Sequence, residues 1–227
     1  MNIVVRAYRS SLGKKYIMAL SGLALFLFVI VHMAGNLQVY LGPEAINAYA
    51  AFLKAHKGLL WSARTSLLIL AIAHIVTAVQ LTAENRAARP EPYKEGRPTA
   101  ASFASRTIFV SGLVVFAFIL YHLMHFTVGL TNPEFLQFKD PADPLRHDVY
   151  HMMIAGFSNV PVSLFYIFSM ALLCAHLSHG VSSMFQSLGI RRRSNIRLIH
   201  GFARFSALVI FLGNCSIPVA VLTRLLK

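Results

Sequence analysis

The stretch IFVSGLVVFAFILYHLMHF, residues 108–126, contains no Asp, Glu, Lys or Arg and is long enough to cross a bilayer as a helix. Four similar runs lie elsewhere in the 227 residues, of which 56% are hydrophobic and 13% are charged. A soluble chain of this length needs more polar surface. The sequence therefore predicts an all-α integral membrane protein, one domain over 1–227, with five transmembrane helices at about 16–35, 59–82, 103–130, 160–185 and 202–222.

The residues at 6–30, basic and then apolar, are also typical of a signal peptide, but the run is long and lacks a small-x-small cleavage site, so we expect a retained span.

The segments between the apolar runs predict turns, loops and one short helix. Gly42-Pro43 predicts a turn, and 44–56 predicts a short helix at the membrane surface. The proline-rich segments 84–101 and 131–148 predict loops.

The formal net charge of +13 is distributed as in a multi-pass membrane protein. Basic residues collect before the first span, between the second and third, and between the fourth and fifth, while the other two loops hold most of the acidic residues. The positive-inside rule then places the N-terminus in the cytoplasm and the C-terminus outside. No basic stripe is interleaved with exposed aromatic residues, which argues against nucleic-acid binding. Cys174 and Cys215 lie in apolar runs and are expected to pack there.

Histidines are the ionisable residues deep in the predicted spans, whereas Asp and Glu fall in loops or at span ends. They are His32, His74, His122, His125, His176 and His179. Ionisable groups inside a membrane are costly and usually functional. A transporter coupled to protons or sodium more often buries carboxylates, whereas a haem requires neutral imidazoles that face each other.

Two of these histidines are predicted to lie near the outer face. At 1.5 Å per residue, His32 lies about 25 Å beyond Lys15, the last basic residue before the first span. His122 lies about 24 Å beyond Arg106, at the inner end of the third span. We expect these two side chains at one level of the membrane.

Two others are predicted to lie nearer the inner face. His74 lies about 18 Å before Arg86, and His176 lies about 16 Å before Ser187 at the inner end of the fourth span. The four helices would form an up-down bundle in which the level partners are diagonal and each pair holds one haem. The fifth span has no internal histidine, so we expect it to pack outside this haem-binding bundle.

The remaining two membrane histidines are rivals for the same role. His125 and His179 each lie three residues after a chosen histidine, on nearly the same helix face but about 4 Å further along the axis. They could instead contact haem propionates, loops or lipid headgroups. An alternative for all six is an ordinary hydrogen bond to a backbone carbonyl or polar neighbour within the bundle.

Four segments together resemble a known family. They are VHMAGNLQVYLG at 31–42, AIAHIVTA at 71–78, ILYHLMHFTVGL at 119–130 and CAHLSHGVSSMFQSLG at 174–189. In this order they are similar to the dihaem cytochrome b membrane anchor of succinate dehydrogenases and fumarate reductases, in its single-chain, five-helix variety. The resemblance covers nearly the whole chain.

The resemblance implies a complete set of ligands and partners. His32 and His122 would be the axial ligands of the outer haem b, and His74 and His176 those of the inner one. The partners would be a flavoprotein with covalent FAD and an iron–sulfur protein on the cytoplasmic face of a bacterial inner membrane, and the electron acceptor a quinone, expected to be menaquinone. Where some members carry a glutamate, this chain has Cys174, which puts that proton route in doubt. The chain has no dinucleotide fingerprint or cysteine cluster, so alone it should not oxidise succinate.

Two further groups of candidate residues follow from this hypothesis. Propionates need cationic or hydroxyl partners, for which the candidates are Arg64, Tyr40, Tyr49 and His125 on the outer side and Arg197, Arg204, Ser21 and His179 on the inner side. Ordinary headgroup or topology charges are the alternative for each arginine. An outer quinone site, which we favour, would use Asn36, Gln38, His56 and Trp61, and an inner one Ser21, Tyr16, His200 and Arg204.

Two other functions are compatible with buried histidines. One is the cytochrome b anchor of a formate dehydrogenase or hydrogenase, which would receive electrons from different partners. The other is a transporter or channel that uses histidines to move protons.

Overall fold

Five long apolar helices form the body of the protein. The computed structural model describes residues 10–88 and 107–227, and these ranges are mostly helical. Within them, five segments are long and apolar enough to cross a membrane, as predicted. The helices are α1 Ser11–Asn36, α2 Pro43–Ala55, α3 Lys57–Ala87, α4 Ile108–His122, α5 Val149–Ser158, α6 Val160–Ser187 and α7 Ile196–Leu222. Of these, α1, α3, α4, α6 and α7 are the long apolar ones, α4 together with the helical turns that follow it.

Several helix ends differ from the prediction. Helix α3 continues to Ala87 and so takes in the start of the predicted loop 84–101, while the rest of that loop and the predicted start of the third span at 103 lie outside the described residues. Helix α7 begins at Ile196 rather than 202. Its first turns carry Arg197, His200 and Arg204, which the prediction had assigned partly to a loop. Long cationic side chains are compatible with a helix end at the membrane surface because their charged tips reach water.

Side-chain caps define three of the described helix starts, one of them that of α5, where the Asp148 side chain accepts from the His151 N–H at 2.9 Å. The Ser10 hydroxyl accepts a hydrogen bond from the Gly13 N–H at 2.9 Å at the start of α1. The Asn159 side chain accepts one from the Val162 N–H at 3.2 Å at the start of α6, where Pro161 occupies the first turn. Such caps satisfy backbone N–H groups that have no partner within the helix.

We call the end of the helices that is predicted to face outside the outer end, and the opposite end the inner end. At the outer end, the segment between α4 and α6 is more ordered than the loop predicted at 131–148. Helix α4 continues as a π-helical segment, Leu123–Val128, which ends at Gly129 with φ +71°. A 3-10 helix, Pro133–Gln137, and an antiparallel hairpin of β1 Lys139–Asp140 with β2 Asp143–His147 follow. Helix α5 then precedes α6 and was not predicted.

A buried amide joins this outer segment to α2. Asn47, which is fully buried, donates to carboxylate oxygens of Asp140 and Asp148 at 3.1 Å each. Its oxygen accepts from the backbone N–H groups of Val149 and Tyr150 at 2.8 and 3.0 Å. All of its hydrogen-bonding groups are therefore satisfied, and α2, the hairpin and the start of α5 form one cap over the outer end of the helices.

An arginine strengthens the same cap, and an ion pair joins the helices at the opposite end. Arg146 contacts Glu44 of α2 at 2.9 Å and Asp140 at 2.9 Å. At the inner end, buried Lys14 of α1 forms a salt bridge with Glu84 of α3.

Each of the long helices packs against at least one other long helix. Helix α1 packs along α3 on one side and α6 on the other, and α6 also packs against α4. Helix α7 packs mainly along α6 and also touches α1 and α5. Its approach to α1 is close, since a Cβ at Gly213 would overlap the Met33 sulfur. The predicted histidine pairs lie on four of these helices, α1, α3, α4 and α6.

Candidate functional site

The structure brings the four chosen histidines together as two pairs. The His32 ring of α1 faces the His122 ring of α4, with centroids 5.7 Å apart and planes at 87°. The His74 ring of α3 faces the His176 ring of α6, with centroids 6.5 Å apart and planes at 66°. Each pair therefore joins two helices that are not consecutive in the chain.

The backbone of α1 fixes the orientation of His74. The Nδ1 atom of His74 lies 3.2 Å from the Met18 carbonyl oxygen and 3.3 Å from the Ser21 hydroxyl. A carbonyl oxygen can only accept, so the ring carries its hydrogen on Nδ1 and keeps the Nε2 lone pair. The next residue, Gly22, lets the helix come close, because a Cβ there would lie 3.1 Å from His74 Cε1.

The backbone of α4 supports His176 in the same manner. The Ser111 hydroxyl lies 3.3 Å from His176 Nδ1 and 3.0 Å from the Ile108 carbonyl, to which it donates. Its oxygen can then accept from His176 Nδ1. A Cβ at Gly112 would lie 3.4 Å from His176 Cε1. Both inner histidines are thus held from behind by a Ser-Gly step on a neighbouring helix.

The outer pair has different support. His122 Nδ1 lies 3.3 Å from the Tyr166 hydroxyl of α6, which also lies 3.0 Å from His125 Nδ1. His32 stacks on Phe28, one turn earlier in α1, with centroids 5.3 Å apart. A tyrosine from a third helix therefore links the His122 ring to the rival histidine.

The two pairs lie at different levels of the helices. Ser21 contacts His74 of the inner pair, whereas His32 of the outer pair lies eleven residues further along the same helix. Eleven residues rise by roughly 16 Å in an α-helix. The two sites are therefore separate.

The chemistry available at each level is a pair of neutral imidazoles. Among the described residues, no group of three or more His, Cys, Asp and Glu side chains is placed to hold a metal ion. Each pair brings together two imidazole rings from different helices.

The two rival histidines have hydrogen-bond partners of their own. His125 is 1% exposed, bonds Tyr166, and packs against Phe126 and Phe135 with centroids 4.0 and 5.5 Å away. His179 Nε2 lies 3.0 Å from the Ser183 hydroxyl, one turn further along α6. Each is hydrogen-bonded to a protein hydroxyl.

The outer propionate candidates are spread over several elements. Tyr49 of α2 packs on α1, since a Cβ at Gly35 would lie 2.9 Å from its ring. Tyr40 is exposed in the turn after α1. Arg64 lies over the Trp61 ring of the same helix, α3, with its guanidinium carbon 5.3 Å from the ring centroid.

The inner propionate candidates also occupy different environments. The Ser21 hydroxyl donates to the Ile17 carbonyl at 2.7 Å and contacts His74, so it faces the back of that ring. Arg197 and Arg204 are exposed on the first turns of α7. The charged pair and Ser21 thus lie on different helices.

The quinone candidates lie at both ends of the helices. Asn36 ends α1 and Gln38 lies in the following 3-10 turn, both half-buried. His56 is exposed at the corner between α2 and α3, where its Nδ1 bonds the Phe52 carbonyl at 2.8 Å, and Trp61 is 62% exposed on α3. At the inner end, Tyr16 is exposed and His200 Nδ1 bonds the Ser182 hydroxyl at 3.1 Å.

A cavity of about 340 Å³ lies beside His125 at the outer end. Its wall includes polar groups of Asn132, Glu134 and Asn159 and the aromatic rings of Phe135 and Phe138. None of the quinone candidates lines this cavity.

Sequence reasoning missed the supporting roles of Tyr166, Ser111 and the two glycines, although an internal repeat signals the Ser-Gly steps. The segments SGLALFLFVIVH at 21–32 and SGLVVFAFILYH at 111–122 are identical at six of twelve positions. Each begins with the Ser-Gly step that backs an inner histidine and ends with an outer histidine. Nothing in the local sequence around Tyr166 indicates its role.

Comparisons of the chain with protein families, curated proteins and solved structures gave no match.

Proposed function

We propose that the two histidine pairs hold two b-type haems and that the protein is the membrane anchor and electron-transfer subunit of a succinate:quinone oxidoreductase. The observation that carries this proposal is the facing of His32 with His122 and of His74 with His176 at two levels. Four helices each contribute one histidine, and the two pairs have the same construction. Ordinary hydrogen bonds to backbone groups would not require the rings to face each other.

The spacing of the rings fits two imidazoles that would hold one haem between them. Imidazole–metal bonds of about 2 Å would place the ring centroids roughly 6 Å apart. The observed separations are 6.5 Å for the inner pair and 5.7 Å for the outer pair. The backbone acceptor on His74 Nδ1 adds support, because metal-ligating histidines usually donate their other N–H to a carbonyl or similar acceptor.

The residues of this chain would hold and tune the cofactors, and partner subunits would supply the reaction with succinate. When bound, the haems would carry single electrons between a cytoplasmic iron–sulfur subunit and a quinone. The facing imidazoles fix the two positions, and the Ser-Gly steps and Tyr166 orient three of the rings. The flavoprotein and iron–sulfur subunits enter from the resemblance alone.

The charge distribution of the described residues supports the proposed orientation. The end of the bundle at the α1 N-terminus and the α6–α7 turn is strongly basic, whereas the end at α2 and the hairpin holds acidic and basic residues in similar numbers. The basic end carries Lys14, Lys15, Arg191, Arg192, Arg193, Arg197 and Arg204, and the other end carries Glu44, Glu134, Asp140, Asp143 and Asp148 together with Lys54, Lys57, Lys139 and Arg146. A basic cytoplasmic end would receive the iron–sulfur subunit.

Optical spectroscopy of the purified full-length chain tests the haem proposal. We expect a reduced-minus-oxidised spectrum with b-type bands and a pyridine haemochrome content of two haems per chain. His74→Ala should lose one haem, whereas His151→Ala, which changes an exposed histidine of α5, should keep both. A wild-type chain without b haem would refute the proposal.

The identity of the complex needs a separate measurement. Purification of the chain from its own membranes should bring along a flavoprotein and an iron–sulfur protein, with electron transfer from succinate to a quinone. Two haems with different electron-donating partners would instead indicate a formate dehydrogenase or hydrogenase anchor. Histidine-dependent proton movement without haem would indicate a transporter.

A further inference from the structure

Tyr166 lies between two histidines in a closely packed aromatic cluster. The residue is 6% exposed, and its ring contacts Phe118 and Phe157 edge to face with centroids 5.1 and 5.0 Å away. Its hydroxyl lies 3.3 Å from His122 Nδ1 and 3.0 Å from His125 Nδ1. The packed ring thus places one hydroxyl where it can serve both imidazoles.

The number of hydrogens determines the direction of these bonds. If His122 binds a metal through Nε2, its hydrogen must lie on Nδ1, and the Tyr166 oxygen accepts that hydrogen. The single phenol hydrogen is then available for His125 Nδ1, which accepts it. His125 must in turn carry its own hydrogen on Nε2. The hydrogen-bond chain therefore runs, from donor to acceptor, from His122 to Tyr166 and from Tyr166 to His125.

The His125 end of this hydrogen-bond chain is held by the segment between α4 and α6. A Cβ at Gly156 of α5 would lie 3.2 Å from His125 Cε1 and 2.8 Å from the Phe126 ring, so α5 packs directly behind this side chain. The His125 ring also lines the outer cavity. The position of His125 is thus fixed by packing from α5 as well as by the bond to Tyr166.

We propose that Tyr166 is a positioning residue for the outer pair, which orients His122 and raises its electron-donating strength through the hydrogen-bond chain to His125. The proposal rests on the proposed function of the histidine pairs as haem ligands. The inner pair has its own acceptors on α1 and α4, so the effect of Tyr166 should be confined to the outer site. Hydrogen-bond acceptors on the second nitrogen of a ligating histidine hold the ring and increase its basicity. Loss of the acceptor should therefore favour the reduced outer haem.

The test uses the full-length haem-loaded protein and Tyr166→Phe, which removes only the hydroxyl. Redox titration followed optically and electron paramagnetic resonance of the oxidised protein would report the two haems separately. His122→Ala assigns the outer component by its loss. We expect Tyr166→Phe to retain both haems, to raise the midpoint potential of the outer component, to change its resonance signal, and to leave the inner component unchanged.

Matched variants separate positioning from general packing. Tyr121→Phe removes a hydroxyl from a ring in the same aromatic cluster, with centroids 6.1 Å from Tyr166, and should alter neither haem. His125→Leu removes the acceptor at the far end of the hydrogen-bond chain and should shift the outer component in the same direction but less. Ser111→Ala should act on the inner component.

The results for the outer component distinguish a failure of this proposal from a failure of the proposed function. An unchanged outer component in Tyr166→Phe, or equal shifts of both components, would overturn it while leaving two haems in the wild-type protein. If Tyr166→Phe fails to fold, an unaltered outer component in His125→Leu would overturn it instead. A wild-type chain that binds no haem would refute the proposed function itself.

Discussion

Replacing Gly22 with alanine tests whether α1 must approach His74 closely. A Cβ at Gly22 would lie 3.1 Å from His74 Cε1, and a Cβ at Gly112 would lie 3.4 Å from His176 Cε1. Because carbon atoms pack best at roughly 3.5–4.0 Å, His74 must move by about half an ångström in Gly22→Ala. His176 needs hardly any displacement in Gly112→Ala.

The two substitutions should therefore differ in free energy. Overpacking costs about 1–3 kcal/mol, and alanine in a helix recovers up to about 1 kcal/mol relative to glycine. We expect Gly22→Ala to weaken the inner site by about 1–2 kcal/mol, which is a loss of affinity of roughly 5–30-fold for the group that it holds. In Gly112→Ala the small contact cost and the gain in helix propensity should cancel.

Under the proposed function, the assay is the transfer of haem from each purified variant to excess apomyoglobin, followed optically. Gly201→Ala serves as the control, because a Cβ at that position in α7 meets nothing within 4 Å. Faster loss of one haem in Gly22→Ala, with the other two variants close to wild type, is the expected result. Equal haem loss from Gly22→Ala and Gly112→Ala would refute the argument, since it would show that the contact distances do not determine the effect.

Three further predictions concern the outer cap. Asn47→Ala should lower the thermal unfolding temperature in detergent, because it removes the partner of two part-buried backbone N–H groups at the start of α5, at most about 1–3 kcal/mol each. The backbone N–H of Ala142, the Asn47 amide and Arg146 hold the pKa of Asp140 below its ordinary value. The ionised Asp140 carboxylate therefore stabilises the fold fully above the ordinary pKa, and this stabilisation is lost as the pH falls through the lowered pKa. The unfolding temperature of the wild-type protein should then decrease as the pH is lowered below about 4, and it should decrease less steeply in Arg146→Gln. An equal slope in both proteins would contradict this account. Gly129→Ala should destabilise the protein in thermal unfolding, because Gly129 has a φ of +71°.

The five spans could be predicted from the sequence because membrane helices are long and apolar, and the end of a run marks the end of a helix within a few residues. Helix α5 was missed because its ten residues follow the hairpin directly and precede α6 with only Asn159 between them. The start of α7 was placed too late because basic residues were taken as a sign of a loop. In this position their long side chains are compatible with the first turns of a membrane helix.

The positions of the four histidines along the helices could be predicted from the sequence, but the contacts that support their rings could not. Helix rise alone places His32 with His122 and His74 with His176, because one dimension is enough to match positions along straight helices. The contact of Tyr166 with His122 depends on the rotation of α6 about its axis. That rotation is set by packing against α1, α4 and α7, which no local pattern of apolar residues specifies.

The internal repeat explains how the two levels are built from similar parts. In each half of the chain, a Ser-Gly step on the first helix supports the inner histidine of the second, as Ser21 does for His74 and Ser111 for His176. The facing rings, in contrast, always come from different halves. Neither half alone therefore contains a complete pair, and a ligand held by either pair would join the two halves. Under the proposed function, haem binding and association of the halves are coupled, because a ligand that binds only the folded arrangement stabilises it by mass action.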